Sequence, residues 1–246
     1  MRFRTFFLLL VIAVCGAFIY LKVSSLGDEN SRFNQVARYR LGKSSFARTI
    51  LGLHKDGDAR GWYLVGDTPI IVEVVSAKGA ELNEEALQIF VKSVKEYTGR
   101  QVDVYNVDTI QNGSLSSIGL AEIDRSFRRH VKPKQPNLFI IYAEEFVSKT
   151  EEVGMTYREY GMVLSHNRLV SLTSRYPQAL PQYIASTMLH EFGHQLGLEH
   201  VDNKQCVMNK DVENPASALS FSGIFTSTEF CSEEFEALNK IRASLQ

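Results

Sequence analysis

Residues 188–200, MLHEFGHQLGLEH, constrain this chain more than any other stretch. They place His190, Glu191, His194, Gly197 and His200 in the pattern H-E-x-x-H-x-x-G-x-x-H. Side chains at i and i+4 share a helix face, so His190 and His194 can present imidazoles to one ion. Glu191 follows the first histidine and points beside that ion, which suits a carboxylate that holds and deprotonates a water. Gly197 lets the chain leave the helix in a backbone conformation that other residues resist. The turn then returns His200 as a third ligand. Three imidazoles with a fourth position open are the donor set of a catalytic zinc, whereas structural zinc is usually closed by four protein ligands. Histidines at helical spacing can be surface decoration, but five fixed positions together argue against coincidence.

The motif resembles that of the metzincin zinc peptidases. The resemblance implies that His190, His194 and His200 bind one zinc ion, that Glu191 is the general base, and that a methionine turn lies beneath the metal. Met208, in the run Cys206-Val207-Met208-Asn209, is the candidate for that turn. Within the clan the chain is similar to archaemetzincins, where the third histidine is followed by Cys-x4-Cys-x-Met and later by Cys-x-x-Cys. Cys206 and Met208 stand at the matching spacing, but Val201 occupies the first cysteine position and a single Cys231 replaces the later pair. The run Val170-Ser171-Leu172-Thr173-Ser174-Arg175 resembles the strand before the active-site helix. This resemblance covers about residues 170–231, and the four-cysteine structural zinc site of archaemetzincins cannot be built from what is present.

With 246 residues, 44% of them hydrophobic, the chain can bury a full core in one two-lobed domain. A net charge of −1 argues against a nucleic-acid partner. Arg2 and Arg4 precede a run over residues 5–21 that is free of charge until Lys22. This reads as a targeting element at residues 1–25, either an uncleaved membrane anchor or a signal cut near Val23-Ser24-Ser25. The flanking arginines predict a single-pass membrane protein with an extracytoplasmic catalytic domain, or a secreted one if the segment is cleaved. Residues 26–66 read as a linker or pro-like segment with one short helix near residues 33–41. It contains no cysteine, so latency by a cysteine on zinc is excluded.

A peptidase domain is expected over residues 67–246, with an upper lobe at 67–197 and a loop-rich lower lobe at 198–246. Ile70 to Val75 read as a strand. Leu82, Ala86, Phe90, Val94 and Tyr97 mark a helix opened by Glu84 and Glu85 and closed by Gly99. A second strand near Val102, a second helix through Leu120, Ile123 and Phe127, and a third strand at Leu138 to Ile141 follow. This alternation predicts an α/β (α+β) fold with a mixed, mostly parallel twisted sheet and two backing helices. Two short strands at residues 160–164 and 169–173 read as a hairpin. The resemblance assigns Leu169, Val170, Ser171, Leu172 and Thr173 to an antiparallel edge strand that binds extended peptide. The active-site helix is expected over about residues 182–196, buried on nearly every face.

His54, His130 and His166 lack ligand spacing and read as surface or hydrogen-bonded histidines. Arg125, Arg128, Arg129, Lys132 and Lys134 read as a solvated helix end. Asn112-Gly113-Ser114 fits a glycosylation sequon, and the specificity pocket is expected near residues 208–221. The reaction implied is metal-assisted hydrolysis of a peptide bond. The rivals are a membrane-anchored zinc-binding scaffold without turnover and a zinc hydrolase of a non-peptide amide. Beside the resemblance, which puts thiolates on a structural zinc in these regions, a Cys206–Cys231 disulfide is expected. Two free thiols are the alternative.

Overall fold

The computed structural model describes residues 2–25, 57–111, 113–132, 135–147, 152–209 and 227–245, with isolated positions at 41, 44, 46, 47 and 50. The chain divides into two compact units, Met1–Lys55 and Asp56–Gln246. In the first, helix α1 (Arg2–Ser25) forms over the apolar run, and Lys22 Nζ donates to the Ile50 carbonyl at 3.3 Å. Among the described residues, however, no helix is long and apolar enough to cross a membrane. The charge-free run at residues 5–21 rises only about 26 Å as a helix, short of the roughly 30 Å of a bilayer's hydrocarbon. The expected single-pass protein with an extracytoplasmic domain is therefore corrected, and a membrane partner through this segment is not supported. The short helix expected near residues 33–41 and His54 lie outside the described residues, apart from position 41.

The second unit begins ahead of the expected boundary at Asp67, because α2 (Arg60–Leu64) already packs into its core. Tyr63 is buried there and its hydroxyl donates to the Asn137 carbonyl. The sheet contains β1 (Ile70–Ala77), β2 (Val102–Ile110), β4 (Asn137–Ala143), β6 (Gly154–Arg158) and β7 (Gly161–Ser165), in the order β2-β1-β4-β7-β6. The pairs β2–β1, β1–β4 and β4–β7 are parallel, and β6 is antiparallel to β7. A second, two-stranded sheet joins β3 (Ser114–Leu115) to β5 (Glu145–Phe146). The mixed, mostly parallel sheet agrees with the fold class read from the sequence.

Both faces of the sheet are covered, so all eight residues of β1 and all seven of β4 are buried. Val72, Val74, Leu138 and Ile140 pack towards α3 (Glu84–Thr98) and α6 (Leu180–Gln195). Val75, Phe139 and Ile141 pack with Leu120 and Ile123 of α4 (Ser117–Phe127). The helix ends are set locally. The Asn83 side chain accepts the Ala86 N–H to open α3, and Gly99 closes it at φ 72°.

One strand assignment is overturned. Residues 169–173 are not an edge strand: Leu169, Val170, Ser171 and Leu172 lie in helix α5 (His166–Leu172), and Thr173 is its C-cap. Ser165 supplies the physical reason, since its side chain caps the helix by accepting the Arg168 N–H. The hairpin partner of β7 instead precedes it, across the turn at Glu159 and Tyr160. The antiparallel outer strand is thus β6.

In the basic cluster Arg125, Arg129 and Lys132 are exposed, as expected of a solvated helix end, and Arg128 departs from it. Arg128 lies over the Tyr160 ring at 3.4 Å and donates to Asn137, while Arg129 pairs with Asp108. His130 bonds Glu73 at 2.8 Å, and Nδ1 of His166 meets the Tyr142 hydroxyl at 3.2 Å. Asn112, Lys134 and the span 210–221 of the expected pocket lie outside the described residues.

Candidate metal centre

Helix α6 carries the first two histidines, and its sequence leaves it little exposed surface. Ile184, Met188, Leu189 and Phe192 are buried, with Phe192 edge-to-face on Tyr63 at 5.4 Å and on Phe90 at 5.9 Å. This packing fixes the rotation of the helix and so decides which way His190 and His194 point. His190 is fully buried, His194 is intermediate and His200 is exposed. Gly197, at φ 86°, turns the chain after the helix. A Cβ on Gly57 would stand 2.6 Å from the Gly197 Cα, so two backbones meet at this turn and leave no room for side chains.

The three rings converge. Their centroids lie 4.9, 5.1 and 4.8 Å apart for the pairs His190–His194, His190–His200 and His194–His200. The ligand nitrogens all fall within 4.8 Å of one another, so the three histidines could hold one metal ion. Nδ1 of His190 faces the Val207 carbonyl at 2.7 Å and Nδ1 of His194 faces the Leu198 carbonyl at 3.3 Å. An Nδ1–H bonded to a carbonyl leaves Nε2 as the metal ligand. The Nε2 atoms of His190 and His200 are 3.2 Å apart. Two nitrogens bound to one tetrahedral zinc at about 2.0–2.1 Å would stand roughly 3.3 Å apart, so the residues present fit zinc.

Glu191, 2% exposed, lies beside this triad with its carboxylate against β6. A Cβ on Gly154 would fall 2.9 Å from Glu191 Oε1 and 2.5 Å from Thr187 Cγ2, so only glycine lets the strand approach here. The sequence reading overlooked Gly154 because a lone glycine before a strand carries no signal of what packs on it. It also passed over Gln195, which is fully buried and donates from Nε2 to the Arg158 and Gly161 carbonyls. That pair of bonds ties α6 to the β6–β7 hairpin.

Met208 is buried beneath α6, its sulfur against Gly193. The turn that carries it closes on itself through Val201 N–H to the Met208 carbonyl at 2.9 Å. Cys206 and Cys231 form a disulfide with Cα atoms 5.0 Å apart, joining this turn to the start of α7 (Ser232–Ala243). Glu234 of α7 was also missed: it is 2% exposed and accepts the N–H groups of Val207, Met208 and Cys231. Cys206, Cys231 and Glu234 lie close enough to suggest a second metal site. The sulfurs are bonded to each other and the carboxylate is engaged by backbone, so we assign these residues a structural role. Burial raises the pKa of Glu234 above the ordinary value and outweighs those three backbone donors.

A family model described as matrixin, peptidase family M10, matches residues 126–222, a span that includes all of α6 and the three histidines. Archaemetzincin of Haloarcula marismortui is 61% identical over 28 residues, which is 11% of this chain and 16% of that protein. The chain thus matches less than a fifth of the length of that curated relative. Archaemetzincin from Methanopyrus kandleri superposes with a TM-score of 0.49 at 19% identity, covering 70% of this chain and 95% of the other. A zinc-dependent peptidase from Methanocorpusculum labreanum does so with a TM-score of 0.47 at 14% identity, covering 68% and 100%. With the matrixin match laid over the histidine triad and the archaemetzincin identity beside it, this chain is metzincin-like and, among metzincins, archaemetzincin-like.

Proposed function

We propose that this chain is a zinc-dependent endopeptidase, with His190, His194 and His200 holding the ion and Glu191 acting as general base. The observation that carries the reading is the convergence of three imidazoles, two with their Nδ1 atoms committed to backbone carbonyls, beside a buried glutamate. Zinc at such a site lowers the pKa of water towards about 7 and polarises a carbonyl. Glu191 takes the proton from the attacking water and passes it to the leaving amine.

The substrate edge in this reading is β6 rather than residues 169–173. As the outermost strand, β6 can pair with an extended peptide by strand addition. Gly154, at its start, sets that edge against Glu191. The met-turn residue Met208 and the Cys206–Cys231 bridge form the floor under the histidines, and Gly197 is the hinge that returns His200.

The deciding experiment incubates the full chain with a diverse peptide pool, with and without a chelator, and then restores zinc. Chelator-sensitive cleavage that zinc rescues is expected. A protein that holds zinc and cleaves no peptide in the pool is instead a scaffold or a hydrolase of another amide, and the proposal fails.

A further inference from the structure

Glu234 sits in the first turn of α7, well removed in sequence from the histidines, yet its buried carboxylate reaches the turn that carries Val207 and Met208. Oε2 accepts the N–H of Cys231 at 2.7 Å and that of Val207 at 3.3 Å, and Oε1 accepts the N–H of Met208. The Val207 carbonyl meets Nδ1 of His190 at 2.7 Å. The Met208 N–H and the Val207 carbonyl belong to one peptide group, which is planar and trans. In a trans peptide these two groups point in opposite directions. Glu234 therefore grips one side of a rigid plane whose other side holds a metal-binding histidine.

We propose that Glu234 is a positioning residue for the metal centre, acting on His190 through the Val207–Met208 peptide. The proposal rests on the zinc site described above. A carboxylate bonded directly to a ligating histidine fixes its tautomer and raises its basicity. Here the peptide group stands between the two and transmits both effects. Its orientation sets the direction of the carbonyl, and a carboxylate on its N–H polarises it into a better acceptor. The Cys206–Cys231 bridge anchors the same turn to the same helix start, so Glu234 meets its donors without a long ordering step.

The test uses the full chain carrying Glu234→Gln, which keeps the shape but loses the charge and turns an amide N–H against a backbone donor. Zinc affinity, measured by competition with a chelator, should fall about 10–100-fold. Peptide KM should stay unchanged, and activity should return in excess zinc. Leu238→Ala, a buried truncation on the same helix, is the control for general destabilisation. A second readout needs no metal. In the zinc-free protein, ¹⁵N NMR of the His190 ring should show the Nδ1–H tautomer in the wild type and a tautomer mixture in the variant. If Glu234→Gln does not fold, Glu234→Asp serves, because it keeps the charge but is one methylene too short to reach Val207 and Met208. An unchanged tautomer and affinity would overturn the proposal, as would an equal loss of zinc in Leu238→Ala. Zinc failing to bind the wild type would defeat the zinc reading alone, since the tautomer measurement still decides what Glu234 does.

Discussion

Every residue of β1 and β4 is buried between two apolar layers, whereas the turn at residues 198–209 adds polar and covalent contacts to the apolar burial of Leu198, Val207 and Met208. One disulfide, the Val201–Met208 bond and the Glu234 carboxylate account for much of its attachment. Each region also buries a glutamate, with opposite results. Burial works to raise the pKa of Glu73 on β1. Hydrogen bonds from Asn137, the Arg129 N–H and His130 outweigh it and leave the net value below the ordinary one. For Glu234 burial wins. The comparison teaches that the sheet is stabilised by area and tolerates a well-paired charge, while the turn adds a few directional contacts to its buried apolar residues. Damage to the sheet should therefore unfold the protein, and damage to the turn should disturb the metal first.

The sharpest separation between stability and chemistry comes from the histidine helix itself. Glu191→Ala should cut turnover by about 10²–10⁴-fold and still hold one zinc per chain, whereas replacing His190, His194 or His200 should lose the ion. Metal analysis beside kinetics checks this. A Glu191→Ala protein that cleaves at the original rate removes Glu191 from the mechanism.

Phe192→Ala, which empties the contact with Tyr63 and Phe90 in the sheet-side core, should cost about 3–5 kcal/mol of stability. Urea unfolding of the purified protein measures it. A loss below about 1 kcal/mol would mean that the apolar layer carries less of the fold than its burial suggests.

Removing the bridge with Cys206→Ser and Cys231→Ser should cost about 3–4 kcal/mol by the chain-entropy account of a 25-residue separation. Zinc affinity should drop further than that of a core variant of equal stability. Equal zinc binding at matched stability would erase the contrast between turn and sheet.

The smallest expected effect is on pH dependence. Glu73 has a depressed folded pKa, so its stabilisation is present above the unfolded value and is lost as pH falls through the folded one. Glu234, raised when folded, contributes with the opposite sign: its term is present below the unfolded value and is lost as pH rises through the folded one. Denaturation midpoints across the acid range should therefore fall less steeply with acid in Glu73→Gln than in the wild type. A steeper acid limb in that variant would reverse the assignment.

The histidine spacing, the capped helix from Glu84 to Gly99 and the buried strands near Ile70 and Leu138 were legible in the sequence because each depends on local periodicity or on one turn. Residues 169–173 were misread for the same reason. Their apolar alternation suits a strand, and the Ser165 cap decides for a helix once β7 has found its partner in β6. The run near the N-terminus was legible as apolar and free of charge; the structure makes it a helix, and one not long and apolar enough for the membrane span read from it.

The sequence by itself determined that three imidazoles and a carboxylate stand at metal-binding intervals, since an α-helix puts i and i+4 on one face whatever surrounds it. Only the tertiary structure decided which strand borders Glu191, where Gly154 makes room for it, and how Glu234 reaches His190 across one peptide plane. Those contacts join residues distant in the chain, and no local pattern encodes the packing that brings them together.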